Sequence, residues 1–278
     1  MLMKIVADSC CDVNEEIKEK TNVALVPLTI QLKDQIYKDD ETLDIDKFLE
    51  LMKENKELPK TACPSPQDFL DRYQGDESVF VVTLSSALSG TYKSAVLAKE
   101  MFLEEAKEKF IHVFDSLSAS VGETLVSLKI SELIKKHYKE TEIVEKVNAY
   151  IKEMKTFFML ESLDNLVKAG RVSPLIAKVS SILSIRPIMA GTDEGSIKLQ
   201  EKVRGAKKAF RRFTEMIEEH GTRLEDKILG IAHCNCFDKA LKFKEEVMKR
   251  YRFKDIIIVK TAGISSVYAN EGGLVIAF

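Results

Sequence analysis

Residues 79–92 read VFVVTLSSALSGTY, an apolar run followed by a cluster of small hydroxyl side chains. The run Val79–Leu84 predicts a buried β-strand, and Tyr92–Lys109 carries apolar residues at helical spacing. The same order, a short apolar run and then serine before a helix, follows Lys4–Ala7 and Ile111–Phe114. Strands that alternate with helices in this way pair in parallel through right-handed crossovers. We therefore predict an α/β fold whose strand ends meet at one edge of a parallel sheet.

The chain length of 278 residues favours two domains. The regular alternation of strands and helices ends near residues 152–156, and Ile185–Ala190 and Ser196–Val203 then read as a β-hairpin around a polar turn. We predict an N-terminal domain over residues 1–154 with a three-layer α/β/α parallel sheet. A C-terminal α/β domain with a mixed sheet is predicted over residues 155–278.

Charge and composition exclude several classes of protein. The 42 basic and 44 acidic residues nearly cancel, so no strong positive field would hold a nucleic acid. No apolar run reaches the roughly 18 residues that a membrane span needs, and no signal peptide precedes the first strand, so we expect a cytoplasmic protein. The five cysteines are scattered and do not form a disulfide framework, so we expect reduced thiols.

Hydroxyl side chains follow all three strands of this pattern at the point where each strand ends. They are Ser9, the run 85–91, Ser116 and Ser118. Helix N-termini begin at the same places, and their free N–H groups suit an anion such as a carboxylate or a phosphate. Serine and threonine are also common helix caps, so each residue could instead only begin its own helix. The coincidence of three such sites favours an anion pocket at the sheet edge.

A rigid loop precedes a further predicted helix, after a segment Val23–Leu32 that reads as one strand. Ser65 has the position of an N-cap and Pro66 that of the first helical residue. Pro64 and Pro66 restrict the local backbone, so the hydroxyl of Thr61 could be held in a defined direction. The alternative is that Thr61 is an ordinary solvated loop residue.

Pro174 opens an unusually apolar helix with few polar positions. Its large apolar residues are Leu175, Ile176, Val179, Ile182 and Leu183. Such a helix is buried on most of its sides, either in the core or as a wall of an apolar cavity. Core packing is the commoner reason, and the periodicity does not separate the two.

A basic segment follows the predicted hairpin. Positive side chains accompany an apolar stripe on the helix predicted there. They are Lys202, Arg204, Lys207, Lys208, Arg211 and Arg212. The default interpretation is a solvated helix face. The alternative is a docking surface for an acidic partner or an anionic membrane.

The chain lacks the sequence patterns of common catalytic and cofactor sites, such as a nucleophile elbow, a P-loop or a dinucleotide-binding motif. The run His233–Cys236 contains metal-ligand types, but strand alternation would send His233 and Cys234 to opposite faces, and no second pair has zinc-ligand spacing. We expect no catalytic residue, no metal ion and no cofactor. An anion pocket beside apolar elements fits a bound amphiphilic carboxylic acid. The alternative is a serine-dependent acyl hydrolase that uses Ser89 or Ser116.

Several motifs along the whole chain resemble those of the DegV family. The most specific is the run LSSALSGTY at residues 84–92. The others are Asp8-Ser9 with Asp12, Val26-Pro27-Leu28, Thr61 before Pro64-Ser65-Pro66, Asp115-Ser116, Gly170-Arg171 and Lys202-Val203-Arg204. The resemblance implies the two-domain α/β fold of that family, which holds one long-chain fatty acid in a buried tunnel.

Members of the DegV family act as the fatty-acid-binding subunit of a bacterial fatty acid kinase. The resemblance therefore implies a long-chain fatty acid as ligand and an ATP-binding kinase subunit as partner, which converts the presented carboxylate into acyl phosphate for phospholipid synthesis. A transient contact with a membrane surface is compatible with this role, and nucleic acid binding is not expected. The alternative is a DegV protein that carries or senses fatty acid without transfer.

The family motifs also imply roles for individual residues. Thr61 and Ser89 would hydrogen-bond the carboxylate, supported by Gly90 and Thr91 at the helix start. Arg171 would lie near the portal. The remaining head-group or portal candidates are Ser9, Ser116, Ser118 and Tyr268. The apolar helix would line or cover the tunnel through Ile176, Val179, Ile182 and Leu183.

One segment departs from the family pattern. The family usually carries His-Thr-Gly-Pro-Gly near its C-terminus, and the aligned residues 268–272 here read YANEG. A histidine can carry positive charge beside an anion, whereas Tyr268 offers a neutral hydroxyl and Glu271 adds negative charge. We expect this departure to affect acyl-phosphate formation more than fatty acid binding.

Overall fold

The structure of the protein is a computed structural model, and it describes residues 2–55, 57–106, 108–176 and 184–278. The strands in these ranges are β1 (Met3–Asp8), β2 (Val23–Val26), β3 (Thr29–Leu32), β4 (Gln35–Lys38), β5 (Lys60–Ala62), β6 (Ser78–Thr83), β7 (Ile111–Asp115), β8 (Thr156–Met159), β9 (Ile185–Gly191), β10 (Ile197–Arg204), β11 (Ile228–His233), β12 (Asp255–Lys260) and β13 (Leu274–Ala277). The helices are α1 (Glu15–Thr21), α2 (Ile45–Glu54), α3 (Pro66–Tyr73), α4 (Thr91–Glu105), α5 (Val121–Lys135), α6 (Glu140–Glu153), α7 (Asp164–Lys168), α8 (Ala206–His220), α9 (Phe237–Met248) and α10 (Gly263–Ala269).

Four strands form a parallel sheet in the order β2-β1-β6-β7. Every residue of β6 is buried, because helices cover both faces of this sheet. Phe80 packs in one core with residues of α5 and α6. Val81 points to the other face and packs with residues of α3 and α4. This arrangement confirms the predicted parallel sheet between two layers of helices.

Six strands form a second sheet in the order β10-β9-β8-β13-β11-β12. Only β11 and β12 pair in parallel, so the sheet is mixed, as predicted. The predicted hairpin is present as β9 and β10, with Ile197 opposite Gly191. Phe213 of α8 and Phe243 of α9 cover one face of the sheet, with ring centroids 5.1 Å apart.

The predicted basic helix begins only at Ala206, because Lys202 and Arg204 pair with β9 as part of β10. The positive charge on α8 itself is partly neutralised by neighbouring carboxylates. Arg212 forms ion pairs with Glu201, Glu215 and Glu219 at N–O distances of 2.7, 2.7 and 2.8 Å. Arg211 lies 3.6 Å from Glu215. These contacts favour the solvated helix face over a strongly positive docking surface.

Helix α5 lies between the two large sheets and contacts β1 and β6 on one side and β11 and β13 on the other. Its residues are therefore buried almost all round, including Val121 and Leu125. The approach to β11 is close: a Cβ at Gly230 would lie 2.4 Å from Cγ2 of Val121. A glycine is required at that position for the helix to pack this tightly on the strand.

The prediction of one strand over Val23–Leu32 is wrong, because the chain bends at Pro27 and forms β2 and β3. Proline has no N–H group to donate to a strand ladder. The next N–H group, that of Leu28, instead donates to the hydroxyl of Ser9 at 3.0 Å. Strand β3 then forms a third, antiparallel sheet in the order β4-β3-β5, which the sequence pattern does not predict.

The chain changes sheets between β7 and β8. All strands up to β7 belong to the first and third sheets, and all strands from β8 onward belong to the second. A division into domains at residues 154 and 155 stays a prediction. Among the helices of the described ranges, none is both long and apolar enough to span a bilayer.

Candidate functional site

A cavity is enclosed by residues that follow strands of the first sheet and by residues of the second sheet. Its empty volume is about 940 Å³, a figure that includes the open mouth. Leu84 follows β6, and Phe158 belongs to β8. The other large apolar lining residues are Leu28, Leu88, Leu117, Leu160, Leu166, Ile197, Ile264 and Val275. Walls of this kind suit a hydrocarbon chain.

Two hydroxyl groups meet in the lining of this cavity. Thr61 lies in β5, and its backbone position is set by pairing with Ile30 of β3. Tyr268 lies in α10, and its hydroxyl oxygen is 2.7 Å from Oγ1 of Thr61. Both residues are half-buried and line the cavity. The defined orientation predicted for the Thr61 hydroxyl is thus provided by a partner that lies far away in the sequence.

Ser89 lines the cavity from the loop between β6 and α4. Its hydroxyl lies 2.9 Å from that of Thr91 and accepts the Thr91 N–H at 3.3 Å. Thr91 is fully buried behind it as the first residue of α4. A Cβ at Gly90 would lie 3.3 Å from the Cys63 sulfur, so this loop contacts the loop that follows β5. Of the four predicted carboxylate ligands, Thr61 of β5 and Ser89 line the cavity, and Gly90 and Thr91 follow Ser89 at the start of α4.

Arg171 is the one charged side chain among the described residues that line the cavity. Its Nε donates to the carbonyl of Leu88 at 3.0 Å, and its Nη1 donates to the carbonyl of Ala169 at 2.5 Å. Gly170, with a φ of 74°, turns the chain after α7 so that Arg171 faces Leu88. Arg171 is exposed and also lines the cavity, so its positive charge lies where the lining meets solvent, bonded to the residue before Ser89. We call this part of the lining the open side of the cavity.

The helix that carries Tyr268 is held by two carboxylates of the first half of the chain. The first two N–H groups of α10 donate to the Asp39 carboxylate at 2.6 and 3.0 Å. The N–H group of Ala262 donates to Asp12 at 2.7 Å. Burial raises the pKa of Asp12 to about 7, although its hydrogen bonds act in the opposite direction. Asp12 and Asp39 thus position the helix that brings Tyr268 into the cavity lining.

The other predicted head-group candidates separate into two groups. Ser9 accepts the N–H of Leu28 at 3.0 Å, and Ser116 bonds the backbone of Ser118 at 3.2 Å. Both serines are buried, and neither is among the described residues that line the cavity. Ser118 does line it, with its hydroxyl 2.7 Å from that of Thr156. Ser9 and Ser116 therefore bond loop backbone. They do not cap the helices that follow them, because the N-caps of α1 and α5 are Asn14 and Ser120, so the alternative role as helix caps is wrong for these two serines.

The predicted apolar helix is described only at its start. Ile176 is half-buried and packs against a cluster that contains Leu160 and Leu166, two residues of the cavity lining. Leu175 is exposed. Outside the described residues lie Val179, Ile182 and Leu183. The role of this helix as a tunnel wall stays a prediction.

The sequence motifs do not mark the lining residues that come from the second sheet and from α10. The polar ones are Thr156, Ser196 and Ser265. Alternation along β8 and the residue after it could have indicated this side of the cavity. Phe158 and Leu160 pack in the cluster beside the cavity, whereas Phe157 and Met159 pack under α8 and α9. What the alternation does not show is which other element faces Phe158.

The contacts around the two serines proposed as nucleophiles do not form a catalytic pair. Ser89 bonds Thr91 and Ser116 bonds Ser118, and neither has a histidine as hydrogen-bond partner within the described ranges. The ring of His233 accepts the N–H of Cys236 at 3.3 Å, which is a turn contact. The described part of the cavity lining offers hydroxyl groups and contains no histidine or carboxylate that could serve as a base for them.

Known proteins and a protein-family model match this chain over nearly its whole length. A model of the DegV family, described as a family of uncharacterised proteins, matches residues 2–278. The chain belongs to the DegV family. A DegV domain-containing protein of Streptococcus pneumoniae is 38% identical over 280 residues, which cover 100% of this chain and 99% of the relative.

Solved structures of other DegV proteins are similar to this chain over its whole length. A DegV family protein from Ruminococcus gnavus, in a refinement with vaccenic acid, has a TM-score of 0.94 at 41% identity and 99% coverage of both chains. The fatty acid kinase B3 protein of Streptococcus pneumoniae, loaded with linoleic acid, has a TM-score of 0.92 at 37% identity. That similarity covers 100% of this chain and 99% of the other. The fold is therefore the DegV fold.

The segment in which this DegV chain departs from the family pattern begins at Tyr268. Its hydroxyl pairs with that of Thr61, so two hydroxyl groups are in contact where the family pattern has a histidine. Glu271 is ion-paired with Lys53 and accepts a hydrogen bond from Asn235 at 3.1 Å. The contact with Lys53 lowers the pKa of Glu271. Its negative charge is thus engaged at the surface and does not belong to the described lining of the cavity.

Proposed function

We propose that this DegV protein binds one long-chain fatty acid in the cavity and does not itself turn it over. The carboxylate would contact Thr61, Ser89 and Tyr268, with Arg171 at the open side, and the hydrocarbon would lie along the apolar walls. The observation that carries the proposal is a cavity in which hydroxyl groups from both halves of the chain adjoin these walls. The fatty acids held by the similar Ruminococcus gnavus and Streptococcus pneumoniae proteins support it.

The energetics of such binding are favourable without a covalent bond. Burial of about fourteen methylenes at roughly 0.8 kcal/mol each gives a gross gain of about 11 kcal/mol. Loss of translational and rotational freedom costs at least about 4 kcal/mol, and hydrogen bonds to the carboxylate contribute about 1.5–3 kcal/mol each. A micromolar dissociation constant corresponds to about 8 kcal/mol, so affinity in this range or tighter is expected.

The head group requires several donors at once. A carboxylate taken from water without hydrogen bonds or a counter-charge is strongly disfavoured. Thr61, Ser89 and Tyr268 each offer one hydroxyl proton, and Arg171 offers a guanidinium. We assign Gly90 and Thr91 a supporting role, because Thr91 orients the Ser89 hydroxyl and Gly90 allows the two loops to touch.

Two broader parts of the proposal follow from the family. The apolar helix that begins at Pro174 would cover the hydrocarbon, since its described start at Ile176 packs beside the cavity lining. The chain would be organised as two domains over residues 1–154 and 155–278, with the ligand between them. The change of sheet between β7 and β8 supports this division.

We further propose that the chain presents the carboxylate to an ATP-binding kinase subunit. There a carboxylate oxygen would attack the γ-phosphorus of ATP, the bond to ADP would break, and acyl phosphate would form. The similarity to the fatty acid kinase B3 protein supports this partnership. So does the exposure of Gly90 and Arg171, which leaves the head-group end reachable by another protein. Carriage or sensing of fatty acid without transfer is the alternative.

Binding is tested by calorimetric titration of delipidated protein with oleate and with oleyl alcohol. Joint replacement Thr61→Ala and Ser89→Ala should weaken oleate binding by about 100-fold or more and alcohol binding by about 2- to 10-fold, because the carboxylate loses two charged hydrogen bonds and the alcohol loses one neutral hydrogen bond. Ser86→Ala is the matched control, since Ser86 lies in the same loop, is exposed and does not line the cavity. If the delipidated wild type does not bind oleate, fatty acid binding is refuted. If the double variant loses affinity for oleate and for oleyl alcohol by the same factor, the assignment of Thr61 and Ser89 to the carboxylate is refuted.

Kinase-coupled transfer is tested separately. Oleate-loaded protein is incubated with a bacterial fatty acid kinase ATP-binding subunit and ATP, and acyl phosphate is trapped with hydroxylamine. A hydroxamate that depends on both proteins supports the transfer role. Tight oleate binding without any hydroxamate would favour the carrier or sensor instead.

A further inference from the structure

A group of acidic side chains is buried beside the cavity, around the end of β1. Asp8, Asp12 and Glu123 are each 0% exposed. Atoms of the Asp8 carboxylate, the Glu123 carboxylate and the Cys10 thiol all lie within 4.8 Å of one another. In the part of the chain that the structure describes, none of these carboxylates forms an ion pair with a basic side chain.

The carboxylates of Asp8 and Glu123 differ in their hydrogen-bond partners. The two oxygens of Asp8 accept the N–H groups of Cys10 at 2.9 Å and of Leu84 at 2.8 Å. Asp8 thereby ties the end of β1 to the loop that carries Ser89. Glu123 lies in the first turn of α5, and both of its carboxylate oxygens are buried without a hydrogen-bond partner among the described residues. A buried carboxylate with neither a donor nor a cation is strongly unfavourable.

We infer that Glu123 is held as the neutral carboxylic acid, donates its proton to Asp8, and so acts as a positioning residue for the two loops that Asp8 joins. A proton on Glu123 allows two neighbouring carboxyl groups, whose atoms lie within 4.8 Å of one another, to share a hydrogen bond instead of facing each other as two acceptors. It also removes one of two like charges that cannot both be ionised at short range in a dry site.

The electrostatic surroundings agree with a retained proton. Burial is the largest effect on both groups, and it raises the pKa of Asp8 to about 7 and that of Glu123 well above its ordinary range. The geometry decides which of the two keeps the proton, because Asp8 already accepts two backbone N–H groups and Glu123 accepts none among the described residues.

The titratable groups that act on this pair are acids and a thiol. Those acting on Glu123 are Asp8 and Asp12 of β1 and its following loop, together with Cys10, whose thiol lies within 4.8 Å of the Asp8 and Glu123 carboxylates. Asp39, from the loop after β4, acts on Asp8. None of them carries positive charge, so the proton is the neutralising group that the described residues themselves provide.

The connection of this pair to ligand binding rests on the proposed function. Cys10 and Leu84, the two residues whose N–H groups Asp8 holds, both line the cavity. Loss of the Glu123 proton would add a second negative charge beside the loop that carries Ser89. The protonation itself can be measured without any lipid, so the two ideas fail independently.

The first test is infrared spectroscopy at pH 8 of the wild type, Glu123→Gln and Glu145→Gln. Glutamine keeps the shape and the donor of the neutral acid, so Glu123→Gln is expected to fold. Glu145 is exposed on α6 and is the matched control. We expect the C=O band of a protonated carboxyl in the wild type and in Glu145→Gln, and its loss in Glu123→Gln. Three identical spectra in this region would overturn the inference.

The second test measures how many protons the protein releases on unfolding. Unfolding releases the Glu123 proton above its ordinary pKa of about 4.3, so the unfolding constant of the wild type should rise more steeply with pH than that of Glu123→Gln. The difference expected between pH 5 and pH 8 is about one proton, or tenfold per pH unit. Equal slopes would overturn the inference. One equivalent of a divalent metal in the purified protein, measured by plasma mass spectrometry, would also overturn it, because a cation would then neutralise the pair.

Oleate titration of the same samples separates the two proposals. A carboxyl band in protein that does not bind oleate supports the inference and refutes the proposed function. Oleate binding in protein that lacks the band supports the proposed function and refutes the inference.

Discussion

Replacement of Tyr268 by phenylalanine removes one hydroxyl from the head-group end and keeps the aromatic ring. That hydroxyl lies 2.7 Å from Oγ1 of Thr61, and the ring packs against clusters that contain Leu28 and Leu160. A hydrogen bond between neutral groups contributes about 0.5–1.5 kcal/mol, whereas one to a carboxylate contributes about 1.5–3 kcal/mol. If Tyr268 donates to the bound carboxylate, Tyr268→Phe should weaken oleate binding by about 10- to 150-fold and lower the free energy of unfolding without oleate by only about 1 kcal/mol.

The assay is calorimetric titration of delipidated Tyr268→Phe with oleate, together with urea unfolding of the same protein. Tyr37→Phe is the control, because the Tyr37 hydroxyl bonds Gln35 in an exposed hairpin and does not line the cavity. The control should bind oleate like the wild type. Oleate affinity of Tyr268→Phe within about twofold of the wild type, combined with a loss of stability, would show that the Tyr268 hydroxyl serves the fold and not the ligand.

Three further perturbations test the fold and the site. Asp12→Asn should make the free energy of unfolding less dependent on pH between about 4 and 7. In the wild type, the native Asp12 carboxyl keeps its proton to about pH 7, whereas the unfolded one loses it near pH 4. The free energy of unfolding of the wild type therefore falls as pH rises through this window, and the variant lacks this contribution. Urea unfolding at pH 5 and pH 8 measures this, and an unchanged pH dependence would contradict it. Gly230→Ala should lower the free energy of unfolding by about 1–3 kcal/mol, because its Cβ would lie 2.4 Å from Val121, and an unchanged thermal midpoint would show that α5 can move aside. Tyr268→His should raise the acyl-phosphate yield with a kinase subunit, because an imidazolium can pair with the carboxylate, and no change would show that this position does not limit transfer.

The predicted strands and hydroxyl loops illustrate how far local patterns reach. The apolar run Val79–Leu84 predicts β6, and the hydroxyls that follow it bring Ser89 to the cavity. The same pattern at Ser9 and Ser116 leads to a different role, because these hydroxyls accept hydrogen bonds from backbone N–H groups. The partner of Ser9 is the N–H of Leu28, 19 residues away, and its approach depends on the bend at Pro27. A hydroxyl at a strand end therefore predicts a polar contact but not the identity of the partner.

Residue types and their spacing were sufficient to predict the parallel sheet, the hairpin and the hydroxyl groups at the strand ends. These features depend on burial periodicity and turn chemistry, which act over a few residues. The cavity and the contact between Thr61 and Tyr268 needed the folded chain, since these two residues are 207 positions apart. They meet because α5 brings the two sheets together and because Asp12 and Asp39 hold the N-terminus of α10. A linear pattern records which face of an element is buried, but the distant element that covers that face is selected only by packing and by the pairing of buried polar groups.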